Sequence, residues 1–189
     1  MEYIQDKEFE KQNFTEAPLA KGEYENCVFI GCDFSNSTLA EVKFIECKFK
    51  DCNLSMAKLS KTALQDIEFV NCKMLGLHFE NCTTFALSFS FEDCNLSHCS
   101  FYQLKIKKTI IKNSKLHEVD LTGCDLSHSV FDNCDFTRAA FQNTNLEKAD
   151  FTTSFNYSID PTTNHIKKAR FSLAGLPGLL DQYDIHIEQ

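Results

Sequence analysis

The 189-residue sequence has no tryptophan, only three prolines and only six glycines. This scarcity excludes a collagen-like chain and a disordered chain rich in glycine and proline. Basic residues are also in deficit, with 19 Lys and Arg against 27 Asp and Glu, a net charge of −8. Electrostatic binding to DNA or to an anionic membrane requires an excess of basic residues. We therefore expect no direct nucleic-acid partner and no membrane partner.

Long apolar runs and a leader segment are missing as well. No stretch approaches the roughly 20 consecutive apolar residues of a transmembrane helix. The first residues, MEYIQDKE, lack the cationic and apolar regions of a secretory signal. The expectation is a cytoplasmic protein whose thiols stay reduced.

The sequence is rich in phenylalanine (18) and cysteine (10), and both recur with a period of five. Every fifth residue from Ile4 to Phe79, and again from Phe91 to Phe151, is large and apolar. We call this position the centre. The position two residues before each centre is mostly small, and it holds all ten cysteines.

A period of five fits neither an α-helix nor a flat strand. It predicts a chain that turns a corner about every five residues, with the centre and the small residue inside and the other three outside. Successive turns would then pair through backbone hydrogen bonds at about 4.8 Å. Such a solenoid exposes sheet edges only at its two ends.

Units such as Cys32-Asp33-Phe34-Ser35 and Ala149-Asp150-Phe151-Thr152 resemble the A/C-D/N-L/F-S/T-x unit of pentapeptide repeat proteins. The resemblance covers about residues 4–171. It implies an all-β fold, a right-handed quadrilateral β-helix with about four pentapeptides per turn. We expect this pentapeptide repeat solenoid over residues 1–171, followed by a short C-terminal helical cap over 172–189.

Two segments interrupt the repeat. Phe79 and Phe91 are twelve residues apart where two units need ten, so two extra residues lie near 83–90. This register slip predicts either a tolerated bulge or a protrusion that a partner reads. The candidate residues of the protruding segment are Thr83, Thr84, Phe85 and Leu87. Residues 154–165 also break the pattern and predict a surface loop, with a turn at Asp160-Pro161.

The last residues have a different pattern, with apolar residues at near-helical spacing followed by an alternation typical of a short strand at 185–187. The end of a solenoid must be capped to prevent aggregation. The tail is therefore either a hydrophobic lid or, as the resemblance implies, an end-to-end homodimer contact. The candidate residues are Leu173, Leu176, Leu179, Leu180, Tyr183, Ile185 and Ile187.

Catalytic and metal-binding patterns are not found in the sequence. The cysteines are five or more apart without a C-x-x-C pair, and their phase places them inside as small hydrophobes. No histidine pair has metal-ligand spacing near an acid, and no nucleophile elbow or phosphate loop occurs. We expect no enzyme, no cofactor, no metal and no small-molecule substrate.

Acidic residues concentrate between residues 116 and 161, a range that contains eight acidic and two basic residues. This cluster is either a solvated wall that maintains solubility or a surface that imitates the phosphates of DNA. The candidate acidic surface consists of Glu118, Asp120, Asp125, Asp132, Asp135 and Asp150.

Stretches at 49–55, 69–76 and 156–160 resemble the albicidin-resistance members of the family, which, like the Qnr and MfpA members, bind DNA gyrase. The resemblance implies a DNA mimic that binds DNA gyrase or a related type II topoisomerase and inhibits it or protects it from an antibiotic or toxin. The large loops that many Qnr members need for drug protection have no counterpart here. The alternative is a generic protein–protein interaction scaffold with an unrelated partner.

Overall fold

The computed structural model describes residues 2–188, and they form short strands wound around a common lumen. A four-stranded parallel sheet has the order β1-β3-β5-β7, and a nine-stranded parallel sheet has the order β13-β12-β11-β10-β9-β8-β6-β4-β2. The strands are β1 (Glu2–Gln5), β2 (Glu8–Glu10), β3 (Gly22–Glu25), β4 (Val28–Ile30), β5 (Lys43–Ile45), β6 (Lys48–Lys50), β7 (Ala63–Gln65), β8 (Ile67–Val70), β9 (Phe89–Glu92), β10 (Ile110–Lys112), β11 (Val130–Asp132), β12 (Asp150–Phe151) and β13 (Arg170–Phe171).

Each regular turn of the chain uses twenty residues and four faces. Phe9 pairs with Phe29 and Phe29 with Phe49 in parallel register, so one turn consists of four pentapeptides. Face 1 carries β1, β3, β5 and β7, and face 2 carries the nine-stranded sheet. Faces 3 and 4 follow along the chain and are joined by isolated parallel bridges such as Asp33 to Asn53 and Thr38 to Lys58. The expected four-sided β-helix is confirmed.

The lumen is filled by the centre residues, which stack in columns. The rings of Phe9, Phe29, Phe49, Phe69 and Phe91 follow one another on face 2 with centroids 4.7 to 5.3 Å apart. Stacked aromatic pairs of this kind contribute about 0.5–1.5 kcal/mol beyond the area they bury. The column therefore locks each turn to the next in register.

The corners are built from residues two positions after each centre, whose backbone is left-handed. Examples are Asn36 with φ of 55° and Asp51 with φ of 56°. Asn and Asp tolerate this region better than other L-residues, and Gly31 and Gly76 also occupy it. The side chains of adjacent corners touch, as where Asn71 Nδ2 donates to Asp51 Oδ1 at 2.6 Å.

The register slip lies on face 1 between β7 and the bridge that begins at Lys105. The amide of Thr83 donates to the carbonyl of Thr62, and that of Ser88 donates to the carbonyl of Leu64. Residues 84–87 therefore form the excursion, and pairing on face 2 resumes at Ile67–Phe89, an offset of 22 residues instead of 20. The sheet of face 1 ends at β7 as a result.

The expectation of a surface loop at 154–165 is corrected, because this segment keeps the length of a turn. Asp135 bridges to Phe155 and Asn145 to His165, both at the normal offset of 20. Tyr157 and Ile159 fill the lumen in place of the expected centre positions, which is why the five-residue pattern breaks. The turn after Asp160 is present at 161–163.

The C-terminal cap consists of two 3-10 helices, Leu173–Leu179 and Asp181–Tyr183. Ser172 caps the first one by accepting from the amide of Gly175 at 3.1 Å. Pro177 lies inside this helix. Because proline has no backbone N–H to donate, it does not support a longer α-helix at this position. Residues 185–187 form no strand within the described chain, since Asp184 turns left-handed before them.

Candidate partner-binding surface

All charged residues between 2 and 188 are at least partly exposed on the outside of the solenoid, and Glu80 alone has a carboxylate oxygen, Oε2, that is buried without a hydrogen-bond partner. The buried polar residues are serines, threonines and one asparagine, without any Asp, Glu, Lys, Arg or His. The net charge of −8 is therefore displayed entirely on the outer wall.

The six candidate acids are distributed around the whole circumference and do not form one stripe. Asp125 lies on face 1, Asp132 and Asp150 on face 2, Asp135 on face 3 and Asp120 on face 4. Glu118 occupies the left-handed corner between faces 3 and 4. A flat partner can therefore contact only two or three of these carboxylates at one time.

Each of these acids also has a partner within the chain. Arg138 lies 2.6 Å from Glu118, and Arg170 lies 2.7 Å from Asp150. The remaining partners are Lys107 for Asp125, His117 for Asp135, Thr153 for Asp132 and the backbone amide of Thr122 for Asp120. The negative charge is therefore offset by a Lys or Arg at three of the six carboxylates, Glu118, Asp125 and Asp150.

Asp135 has the densest set of hydrogen bonds among the six. Its carboxylate accepts from Asn156 Nδ2 at 2.9 Å, from Thr137 Oγ1 at 2.7 Å and from His117 Nε2 at 2.8 Å. Partial burial raises the pKa of this carboxyl, but these hydrogen bonds outweigh burial and hold the pKa at about 2. Asp135 is therefore ionised at neutral pH and is also part of the local structure.

Two features of this surface were missed by the sequence reasoning. The Asp or Asn before a centre accepts the backbone amide two residues later, as in Asp125 to Ser127 and Asp150 to Thr152, which is an Asx turn. The D/N-L/F-S/T unit itself is the signal for it. The ion pairs connect neighbouring turns, at separations of 20 residues for Arg138–Glu118 and 18 for Lys107–Asp125.

The candidate protruding segment divides into an exposed tip and an anchored base. Thr84 and Phe85 are exposed, and Phe85 has 77% of its surface accessible. Thr83 is half-buried and hydrogen-bonded to the preceding turn, and Leu87 packs against the core. A partner can therefore reach residues 84–86.

The candidate cap residues also divide into two groups. Leu179 packs against the core and Leu180 is half-buried. The others expose large apolar surfaces: Leu173, Leu176, Tyr183, Ile185 and Ile187. The tail packs closely on the solenoid at Tyr157. Gly178 lies so near the Tyr157 carbonyl oxygen that a Cβ at this position would overlap it.

The ten cysteines are buried and free. Several thiols donate to a backbone carbonyl of the preceding turn, as where Cys47 Sγ lies 3.2 Å from the carbonyl oxygen of Tyr24. Burial raises the pKa of Cys47 and of Cys124 to about 12, so these thiols are protonated and weakly nucleophilic at neutral pH.

Over the described residues, His, Cys, Asp and Glu side chains form no group of three or more that is arranged to hold a metal ion. Between residues 2 and 188 the solenoid also contains no helix long and apolar enough to cross a membrane.

The model of the family "pentapeptide repeat region" matches this chain twice, at residues 22–90 and 77–151. The two matches together span residues 22–151, well over half of the chain. No curated protein matches the sequence.

Solved structures resemble the solenoid along its whole length. A trypsin-treated variant of QnrB1, described as a plasmid-mediated fluoroquinolone resistance protein, superposes with a TM-score of 0.64 and 19% identity, covering 99% of this chain and all of that chain. Full-length QnrB1 gives 0.55. HetL, involved in heterocyst differentiation regulation in the cyanobacterium Nostoc sp. strain PCC 7120, gives 0.62 with 17% identity, covering 90% of this chain and 87% of its own. At these identities the likeness shows a shared fold.

Proposed function

Since the chain belongs to the pentapeptide repeat family, we propose that it is a non-enzymatic DNA mimic that binds DNA gyrase or a related type II topoisomerase. It would inhibit the enzyme or protect it from an antibiotic or toxin. The observation that carries this proposal is a rod with its entire net negative charge on the outer wall. The full-length likeness to a fluoroquinolone resistance protein supports it.

The dimensions and charge of the rod set the strength of this mimicry. Eight steps separate the first and last strands of face 2, which at about 4.8 Å each gives a length of about 40 Å. A net charge of −8 over this length is about one charge per 5 Å, against one per ~1.7 Å for duplex DNA. Charge alone is therefore too dilute, and fit of the rod to the groove must contribute.

A homodimer through the C-terminal tail completes the proposal. The exposed apolar side chains Leu173, Leu176 and Ile187 would be covered by a second copy, as exposed patches of this kind usually are. Two solenoids joined end to end would form a rod of about 80 Å. The proposal places the protein in the cytoplasm, where its thiols remain reduced.

A supercoiling assay with purified gyrase tests the function. We expect inhibition at micromolar protein, or restored supercoiling in the presence of albicidin or a quinolone. Binding should weaken as salt increases, because charged contacts are screened. No binding, inhibition or protection at that concentration would overturn the proposal. Capture of a different protein by a salt-insensitive contact would instead support the generic interaction scaffold, which the exposed ring of Phe85 favours.

The distribution of acids allows the contact face to be mapped. Asp125→Asn, Asp132→Asn, Asp135→Asn and Asp120→Asn each remove one carboxylate from a different face. We expect one or two of these variants to weaken gyrase binding and the others to bind normally. Equal binding by all four variants would exclude this acidic surface as the contact, even if gyrase binds elsewhere.

A further inference from the structure

The corner between faces 1 and 2 is one continuous edge that runs the length of the solenoid. Its levels are numbered 1 to 9 after the nine strands of face 2, from β2 to β13. At each level the edge consists of the four residues that precede the face-2 centre, from 5–8 at level 1 to 167–170 at level 9. Level 5, residues 87–90, follows the register slip and carries no charge.

The edge is acidic on one side of level 5. Levels 1 to 4 contain six carboxylates and two lysines, a net charge of −4. The six acids are Asp6, Glu8, Glu25, Glu46, Asp66 and Glu68. Within the described chain, only Glu68 of these six forms an ion pair, with Lys48 at 2.9 Å.

The edge is basic on the other side of level 5. Levels 6 to 9 contain six basic residues and two carboxylates, a net charge of +4 with histidine neutral. The six bases are Lys107, Lys108, Lys148, Lys167, Lys168 and Arg170. Lys108, Lys167 and Lys168 form no ion pair in the part of the chain that the structure describes.

The change of sign is sharpest in the column of left-handed corner residues. Asp6, Asn26, Glu46 and Asp66 occupy this column before the slip, with φ between 50° and 54°. Lys108, His128, Lys148 and Lys168 occupy it afterwards, with φ between 57° and 63°. One of these corner side chains points outward at each turn. The edge therefore has an acidic half and a basic half, separated by the uncharged level 5.

The middle of this edge, near level 5, is apolar. Phe85 protrudes from the excursion that precedes level 5, and its carbonyl lies 3.5 Å from the side-chain amide of Gln65 on face 1. Ser88 anchors the same segment to the corner by donating to Asp66 Oδ1 at 2.8 Å. An exposed aromatic ring surrounded by charges has the anatomy of a protein interface, with an apolar centre and a polar rim.

We infer that this edge is a self-association surface, on which a second copy of the chain lies antiparallel. A two-fold axis through level 5 places the acidic half of each copy against the basic half of the other. Asp66 then faces Lys108 of the second copy, Glu46 faces His128, and Asp6 faces Lys168. Because a two-fold interface is isologous, each of these contacts occurs twice. The two Phe85 rings meet near the axis.

This contact goes beyond the proposed function and differs from the end-to-end contact of the tail. The tail contact is apolar and tolerates salt, whereas the edge contact is weakened by salt because its charges are exposed. The two contacts use different surfaces, so one copy can form both at once.

Sedimentation velocity of the full-length chain at roughly 0.02 M and roughly 0.5 M salt measures the edge contact. We expect a salt-sensitive rise in mass above the species that the tail forms, with a linear assembly where copies use both contacts, because the two two-fold axes cross the rod at different levels. Asp66→Lys and Lys108→Glu should each weaken this step at least about tenfold, because each creates two like-charge contacts. The double variant Asp66→Lys/Lys108→Glu should restore it, since the two charges have exchanged places.

Matched controls lie on other corners. Asp51→Lys changes a left-handed carboxylate that accepts one side-chain hydrogen bond, as Asp66 does, and Lys61→Glu changes a left-handed lysine. Both should leave the salt-sensitive step unchanged. Folding of every variant is checked by circular dichroism, and the corner column already accepts lysine at Lys108, Lys148 and Lys168.

Carbodiimide cross-linking of mixed isotope-labelled and unlabelled copies tests the orientation. Asp6 and Lys168 lie eight levels apart in one chain, about 38 Å, so a direct cross-link between them must join two copies. We expect this link together with an intermolecular Asp66–Lys108 link. Absence of both links, a low-salt mass that single reversals do not change, or failure of the double variant to restore association would overturn the inference.

Discussion

Phe89 lies beside Phe91 with 5.1 Å between their ring centroids, in a position that the repeat normally assigns to a small residue. The corresponding residue in the preceding turn is Ile67. The excursion of residues 84–87 removes one face-1 centre from the lumen, and Phe89 fills the space by contacting Phe79 and Phe101 as well. The slip is therefore compensated inside the solenoid by a larger side chain.

Phe89→Ala should lower the free energy of unfolding by about 3–5 kcal/mol, because it leaves a cavity among aromatic rings. Phe85→Ala should change it by less than about 0.5 kcal/mol, since this side chain is solvent-exposed. Urea unfolding followed by circular dichroism compares the two variants. Equal effects would contradict the assignment of Phe89 to the lumen and Phe85 to the outside.

Asp135→Asn should destabilise the protein in a pH-dependent way. The pKa of Asp135 is about 2 in the fold and about 3.9 in an unfolded chain. A depressed pKa contributes stability above the unfolded value, and this contribution is lost as the pH falls through about 2. We expect a loss of about 1–2 kcal/mol at neutral pH and equal stability of variant and parent below pH ~2. A difference that persists there would have another origin than the charge.

The ten thiols should react slowly with Ellman's reagent in the native protein. All ten are buried, and burial raises the pKa of Cys47, Cys99 and Cys124 to about 12, so the thiolate fraction of these three at pH ~8 is roughly a thousandfold below that of a free cysteine. The same protein in denaturant should react with all ten within seconds to minutes. Rapid native reaction of several thiols would contradict their placement in the lumen.

Gly178→Ala should release the tail from the end of the solenoid. The added Cβ would overlap the Tyr157 carbonyl oxygen, and the carbonyl of Gly178 accepts from the amide of Ile159 at 2.8 Å. Trypsin should then cleave faster after Arg170 while strand content remains unchanged. Ala174→Ser, at an exposed position of the same 3-10 helix, serves as the control and should be cleaved at the parental rate.

The lumen was the part of the structure best predicted from the sequence. The period of five identifies Phe29, Phe44 and Phe131 as buried, and each is at most 1% exposed. Such a pattern is reliable because every turn repeats the same steric requirement. It fails at Tyr157, where the chain keeps the length of a turn but inserts a side chain out of phase.

The charged surface was less predictable, because its meaning depends on which turns are neighbours. Glu118 and Arg138 are 20 residues apart in the sequence, yet they lie on adjacent turns and form an ion pair. The same applies to Asp66 and Lys108, whose shared corner is evident only when the two-residue slip is counted. Composition gives the number of charges, whereas register decides which of them remain unpaired.

The end of the face-1 sheet at β7 has a consequence for how the solenoid unfolds. In a repeat fold, cooperativity depends on the coupling between adjacent turns, and among the described residues no β-bridge of face 1 is found between β7 and Lys105. The turns before and after the slip can therefore behave as two cooperative units. Hydrogen exchange should show two levels of protection that meet near residue 85.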